Sequence, residues 1–209
     1  MSSSLPMACT AFAGTRRIAT GNLREVSLTA QESVNRDPFT SVLIFDDTTS
    51  RVIEVDLRGT PEALEQRFAE SKAASPPPDE PATTNESARR PGRPKLGVVA
   101  REVTLLPRHW DWLATQSGGA SVALRKLVEE ARKANQGKDR QRLALESAYR
   151  FISAMAGNEP GFEEATRALF AGKRERFADL IEPWPIDLRD HAKKLAARAF
   201  EDQAVNPDH

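Results

Sequence analysis

A chain of 209 residues with 39% apolar content can bury a core, but its 14 prolines and 29% charged side chains point to several small units joined by linkers. A single cysteine, Cys9, excludes an internal disulfide and a cysteine-rich zinc site. The formal net charge of zero hides a division: residues 1–88 hold 8 basic and 13 acidic side chains, 89–142 hold 13 and 5, and 143–209 hold 9 and 12, so the three stretches carry −5, +8 and −3. One segment that meets a polyanion between two that do not has this pattern, and so has a solvated helix face beside a charged linker.

Residues 1–10 lack the basic start and apolar stretch of a secretory signal, and no apolar run approaches a membrane span, so the expected location is the cytoplasm.

The first strand signal, Thr10-Ala11-Phe12, turns at Gly14 into Arg16-Arg17-Ile18-Ala19. Asn22 is placed to cap a helix running toward Val34. After Pro38, Ser41-Val42-Leu43-Ile44-Phe45 and the alternating Val52-Ile53-Glu54-Val55-Asp56-Leu57 predict a second hairpin about the polar turn at Asp46 and Asp47. Those adjacent carboxylates read as turn formers rather than as an acid/base or metal pair. Thr60 and Pro61 open a helix presenting Leu64 and Phe68. The order ββαββα predicts a small sheet domain over residues 1–70 with its helices on one face.

Residues 71–97 form the expected linker, with Pro76, Pro77, Pro78 and Pro81 among serines, alanines and acids. Such a composition cannot bury enough apolar area to offset the entropy of ordering, so disorder is expected. The linker ends in Arg89-Arg90-Pro91-Gly92-Arg93-Pro94-Lys95, which resembles an AT-hook, a minor-groove clamp centred on Arg-Gly-Arg-Pro. A glycine lets the backbone lie deep in the groove while arginines follow its negative potential. Gly92-Arg93-Pro94 fits, whereas Pro91 stands in place of the first core arginine. The candidate DNA contacts are Arg90, Arg93 and Lys95, and a plain basic linker is the alternative.

Residues 98–105 carry a strand signal, Pro107 starts a short helix bearing Trp110, Leu113 and Ala114, and Ser117-Gly118-Gly119 ends it. A second helix is expected from Ser121 to about Lys133, with Val122, Leu124, Leu127, Val128 and Ala131 at helical spacing. Strand, proline, helix, glycine turn and helix over residues 98–137 resemble the ribbon-helix-helix family of bacterial DNA-binding proteins. The resemblance implies a homodimer whose two strands pair into a ribbon in the major groove, because one strand per chain cannot stand alone. It also implies a phosphate held at the start of the second helix. The matching positions are Arg101 and Thr104 on the strand, and Gly119, Ser121 and Arg125 at the helix start. Glu102 within the strand departs from the family pattern and leaves the reading register open, as does the Leu105-Leu106 pair. The alternative is a helical hairpin packed on the rest of the chain.

Four further helices are expected over residues 138–204. The first carries Leu145, Ala148, Tyr149, Ile152 and Met155 at amphipathic spacing, and the others centre on Phe162 to Leu169, Phe177 to Ile181, and Leu188 to Ala199. The fold class is thus α+β: a sheet domain, a linker, a ribbon-helix-helix-like segment and a bundle of short helices. Trp184-Pro185-Ile186-Asp187 resembles the acid loop of protein tyrosine phosphatases, but no cysteine loop accompanies it, and the tryptophan reads as a buried inter-helix turn. Three scattered histidines support neither a metal site nor general-base catalysis, so no enzyme activity and no cofactor are expected.

Across nearly the whole chain the sequence is similar to a bacterial family catalogued as domain of unknown function 2239. The residues that carry this are Thr10-Ala11-Phe12-Ala13-Gly14, Leu106-Pro107-Arg108-His109-Trp110-Asp111-Trp112-Leu113, Gly118-Gly119-Ala120-Ser121 with Leu124-Arg125, and Gly161-Phe162-Glu163-Glu164-Ala165 with Trp184-Pro185. The resemblance implies cytoplasmic bacterial origin and a three-part organisation, and it leaves the activity open. Together these readings predict a dimeric DNA-binding protein, plausibly a transcriptional regulator, with flanking units that sense a ligand or recruit a protein. The alternative is an interaction adaptor that does not bind DNA.

Overall fold

Gly14 takes φ 56°, a left-handed turn geometry that suits glycine, and reverses the chain between β1 (Ala8–Ala13) and β2 (Arg16–Asn22). The computed structural model describes residues 8–74 and 101–201 of the chain. The two strands pair antiparallel from Ala8↔Asn22 to Ala13↔Arg16, with a bulge where Ala11 gives way to Phe12.

Asn22 then caps α1 (Leu23–Arg36): its side-chain oxygen accepts from the Glu25 N–H at 3.0 Å. Asn22→Ala is therefore expected to lower stability by about 1 kcal/mol in urea melts, and Asn22→Asp to retain most of it. After α1 the chain returns as β3 (Val42–Asp46), which lies antiparallel to β1 on its free side. The sheet order is β2-β1-β3.

The period-two alternation of the strands decides what each face touches. Cys9 and Ala11 of β1 and Ile44 of β3 pack with Val26 and Ala30 of α1. Phe12 and Phe45 point the other way, into a core with Phe151, Ile152, Leu169, Phe177, Ile181, Leu188 and Leu195 from the C-terminal half of the chain. Both faces of the sheet are covered. Helices on one face alone were expected, and the reading differs because the strands alternate between two apolar sets rather than between apolar and polar.

The expected strand over residues 52–57 does not form. Phe45↔Val52 is an isolated bridge, and the Ile53 N–H to Ile44 carbonyl bond of 2.7 Å carries the pairing one residue further. Beyond it the carbonyls find side-chain donors: Arg67 reaches those of Asp56 and Arg58, while the Gln31 amide reaches those of Leu57 at 3.1 Å and Gly59 at 3.3 Å. Ile53, Val55 and Leu57 still pack against the α1 cluster, which explains the alternation in a segment with no ladder. The ββαββα expectation is thus corrected to ββαβα.

The last helix of this part, α2 (Pro61–Ala74), starts with the Thr60 hydroxyl accepting from the Ala63 N–H at 3.3 Å, and it buries Leu64. It runs on through residues assigned above to the linker. The rest of that linker, with Arg90, Arg93 and Lys95, lies outside the described residues.

Chain contacts divide the protein into two units, one formed by residues 1–74 with 136–209 and the other by 75–135. α3 (Pro107–Ala114) belongs to the second unit, and α4 (Gly119–Met155) is a single helix of 37 residues that continues into the first. The break expected near residue 137 is absent. Gly137 costs an α-helix only about 1 kcal/mol, and its neighbours are good helix formers supported by Arg142 pairs to Asp139 and Glu146.

In the first unit the α4 face that enters the core comprises Ala148, Phe151 and Ile152, flanked by Leu145 and Met155. Tyr149, expected on this stripe, is exposed, and its ring lies 5.4 Å from that of Phe170. α5 (Phe162–Phe170), α6 (Arg174–Leu180) and α7 (Ile186–Glu201) complete the unit. Trp184 sits in the buried turn expected of it, donating from Nε1 to the Pro160 carbonyl at 2.8 Å. No helix of the described residues is long and apolar enough to cross a membrane.

Candidate nucleic-acid interface

The second unit is built around a tight helix–turn–helix. Pro107 occupies the first position of α3, where its missing N–H leaves no bond unmade. At the other end Thr115 Oγ1 and Gln116 Nε2 donate to the Trp112 carbonyl at 2.7 and 3.3 Å. Gly118 and Gly119 follow with φ 87° and 75°, and a Cβ at Gly118 would come within 3.2 Å of the Val122 side chain. Both conformations favour glycine, so the turn that delivers the chain into α4 is fixed by these two residues.

The expected contacts at the helix start come together. Gly119 begins α4, Ser121 is exposed in its first turn, and Arg125 lies one turn on with its Nε 3.1 Å from the Ser121 carbonyl. A Cβ added to Gly119 would meet nothing, so the approach to the first N–H groups is open. The Gly119 N–H is taken by the Gln116 carbonyl at 3.0 Å, so the N–H groups that follow it, with the positive end of the helix dipole, are what suit this position to an anion.

Arg101 and Thr104 are exposed, but residues 101–106 form no strand with any described segment. The strand expected over residues 98–105 lies partly outside the described residues and is not seen in the described part.

Charge in this unit is less one-sided than the +8 of the basic stretch suggests. Residues 101–135 hold 6 basic and 4 acidic side chains, a balance of +2, because four of the basic residues lie at 89, 90, 93 and 95 and three more, with Asp139, at 138, 140 and 142. Arg132 is held by Glu129 at 2.8 Å, and that contact keeps the Glu129 carboxyl below its usual range. Arg101, Arg108, Arg125, Lys126 and Lys133 make no ion pair among the described residues. Arg108, Lys126 and Lys133 did not figure among the expected contacts. Their unpaired charge is the signal that marks them, and it required the fold.

Burial in the same unit is slight. Among its described residues Leu113 and Ala123 are the buried apolar ones, whereas Val103, Leu106, Trp110, Trp112, Leu127 and Val128 remain 42% to 64% exposed. Trp110, expected on the buried stripe, is thus exposed together with Trp112.

Residues 8–196 match the model of a family described as "Uncharacterized protein conserved in bacteria" (DUF2239). The chain belongs to this family. The DUF2239 match takes in both units, including the turn at Gly118 and Gly119 and the turn at Trp184. No curated protein and no solved structure matches the chain.

The first unit of this DUF2239 protein contains a polar cluster that the sequence did not announce. Asp46 behaves as the expected turn former, its Oδ1 accepting from the N–H groups of Thr48 and Thr49 at 2.9 and 2.6 Å. Asp47 does not. It is buried, accepts from the Thr10 hydroxyl at 2.6 Å and pairs with Lys194 at 3.3 Å, while its carbonyl takes an Arg198 N–H at 2.7 Å. Ser50 and Ser147 bond across the same junction at 2.8 Å, and Arg150 donates to the Thr49 carbonyl.

Burial first, then the charges of Asp47 and Asp46, push the nearby Cys9 thiol up to about 11, so it stays protonated and a poor nucleophile at neutral pH. Asp187 accepts from the Arg17 backbone N–H at 2.9 Å and so ties α7 to β2. The described residues contain no group of three or more His, Cys, Asp or Glu that could hold a metal ion. The cluster clamps the β3 turn to α4 and α7.

Proposed function

We propose that this is a cytoplasmic, non-enzymatic DNA-binding protein, a transcription regulator that acts as a homodimer through its second unit. The observation that carries the reading is the imbalance within that unit. Among its described residues two buried apolar side chains are few for a helical hairpin, while six large apolar side chains stand exposed and five cations make no ion pair. A second copy of the unit would cover the apolar side chains, as the ribbon-helix-helix resemblance requires. The cations and the open start of α4 would then face the phosphates. Gly119, Ser121 and Arg125 would grip backbone oxygens, which position a protein on the duplex without reading sequence. Arg101 and Thr104 would reach base edges, and Arg90, Arg93 and Lys95 would follow the minor groove.

Labelled duplex DNA titrated with full-length protein at two salt concentrations tests this, alongside an Arg93→Ala/Arg101→Ala/Arg125→Ala variant. Wild-type affinity is expected to fall steeply with salt, by about 0.9 in log–log slope for each phosphate neutralised. The variant is expected to bind at least about tenfold more weakly and with a shallower slope, by about one unit per lost contact. No binding at low salt rejects the proposal. A mass measurement on the same sample should give a dimer of the 23.1 kDa chain.

The mixed charge around Glu129 and Glu130 favours one other reading, an adaptor whose exposed apolar surface takes a different protein. A monomer that fails to bind DNA would support it.

A further inference from the structure

β2 is an edge strand of the sheet, and two arginines open it. Arg16 and Arg17 meet the α1 residues Thr29, Glu32, Ser33 and Arg36 around a concavity of about 250 Å³, with Ile18 at its base. The four α1 positions are spaced by three and four residues and therefore share one side of the helix. Two secondary-structure elements thus bring three guanidinium groups and two hydroxyls to one small site.

The arginines here differ from those nearby. Arg24, Arg58 and Arg67 each hold a carboxylate at 2.6 to 2.9 Å. The guanidinium groups of Arg16 and Arg36 make no ion pair or hydrogen bond among the described residues, and Arg17 is anchored through its backbone N–H to Asp187, not through its guanidinium. The Ser33 hydroxyl also has no partner among the described residues, and Thr29 Oγ1 bonds weakly to the Glu25 carbonyl at 3.3 Å. Glu32 is the acidic residue in the lining, so the site carries a net charge of +2 from three arginines and one glutamate. Three guanidinium charges against one carboxylate leave a net repulsion, and a bound anion relieves that cost. Charged edge strands also deter unwanted pairing. That role explains Arg16 and Arg17, but it does not require Arg36 and the hydroxyls to converge on them.

We infer that this concavity binds a small phosphate-bearing ligand, with Arg16 and Arg36 gripping the phosphate oxygens, Ser33 donating a hydrogen bond, and Arg17 adding charge. Planar guanidinium groups match phosphate geometry in two-point contacts. The volume suits a phosphate group and a small substituent rather than a whole nucleotide. The inference does not depend on DNA binding by the second unit.

Calorimetric titration of the full chain with inorganic phosphate and with pyrophosphate, at matched ionic strength in chloride, tests it. Saturable binding with a Kd below about 1 mM is expected for at least one of the two. Arg16→Gln and Arg36→Gln should each weaken it by about tenfold, while Arg24→Gln should leave it unchanged. Arg16→Lys keeps the charge without the fork and should fall between. Thermal melts of the unliganded variants should match wild type, since Arg16 and Arg36 are exposed. Non-saturable binding, binding that survives both Gln substitutions, or an equal loss in Arg24→Gln overturns the inference. So does competition by duplex DNA that disappears with the same substitutions, because the arginines would then belong to the nucleic-acid interface.

Discussion

Replacing Phe151 with alanine is expected to destabilise the first unit by about 3–5 kcal/mol, enough to consume much of the stability of a domain this size. The ring is fully buried, and its centroid lies 5.4 Å from that of Phe12 on β1, 5.3 Å from that of Phe45 on β3 and 4.5 Å from that of His191 on α7. One side chain on α4 therefore fills the space where the sheet meets the C-terminal helices. Its loss removes an edge-to-face contact with Phe45 and tilted contacts with Phe12 and His191 along with the buried area, and the two strands and α7 cannot all close on the cavity at once. Tyr149→Ala, two positions earlier on the same helix, is expected to cost under about 1 kcal/mol, because Tyr149 is 42% exposed. Urea melts followed by far-UV circular dichroism distinguish the two. Equal losses would mean that the sheet and the helices do not share this core.

That pair of residues also shows what the sequence could and could not convey. Helical periodicity located α4 in its second half and named Leu145, Ala148, Ile152 and Met155 correctly, yet it placed Tyr149 inside and overlooked Phe151. The apolar arc of a helix is wider than one row of residues, and which edge of the arc is buried depends on the partner, here a sheet more than a hundred residues earlier in the chain. The first hairpin and the Asn22 cap were legible because their signals are local: a glycine at the turn, alternation on either side and a capping side chain. The second hairpin misled for the opposite reason. Alternation at Ile53, Val55 and Leu57 reports half-burial, which does occur, but pairing failed because distant side chains, Gln31 and Arg67, took the carbonyls. The helix end expected at about Lys133 was misplaced in another way: the chain runs on as one helix to Met155, since the penalty of about 1 kcal/mol at Gly137 is small against the many helical bonds on either side of it.

The candidate site was legible as charge and turn chemistry but not as surface. Gly118, Gly119, Ser121 and Arg125 converge as their spacing predicts, because a two-glycine turn followed by a helix start is a local motif. The exposure of Trp110, Leu127 and Val128 was not legible, since helical spacing cannot tell an apolar face buried within the chain from one left exposed. Asp47 was read as a turn residue for a related reason. Its burial depends on Lys194 and Arg198, which reach it from α7, and nothing near Asp47 in the chain signals their approach.

The pH dependence of stability should expose the other residue in that junction. His191 is 1% exposed on α7, with its ring against Phe151 and Phe12, and its Nδ1 has no hydrogen-bond partner among the described residues. Burial pushes its pKa from 6.5 down to about 4; Asp47 pulls it up, while Lys194, Arg17 and Arg198 push it further down. The folded protein therefore keeps the imidazole neutral at pH values where the unfolded chain takes up a proton. The contribution is fully present above pH 6.5 and is lost progressively as pH falls to about 4, below which the folded state protonates as well. Each pH unit inside that window costs up to about 1.4 kcal/mol, for a total of roughly 3 kcal/mol. Carboxylates titrate in the lower part of the same window, so the informative quantity is the difference from His191→Phe, which keeps a buried ring without the basic nitrogen. Urea melts at steps between pH 7.5 and pH 4 should show wild type losing roughly 3 kcal/mol more than the variant. Parallel curves would mean that His191 reaches solvent or a hydrogen-bond acceptor in the folded protein, and the aromatic junction around Phe151 would then have to be more open than its contacts indicate.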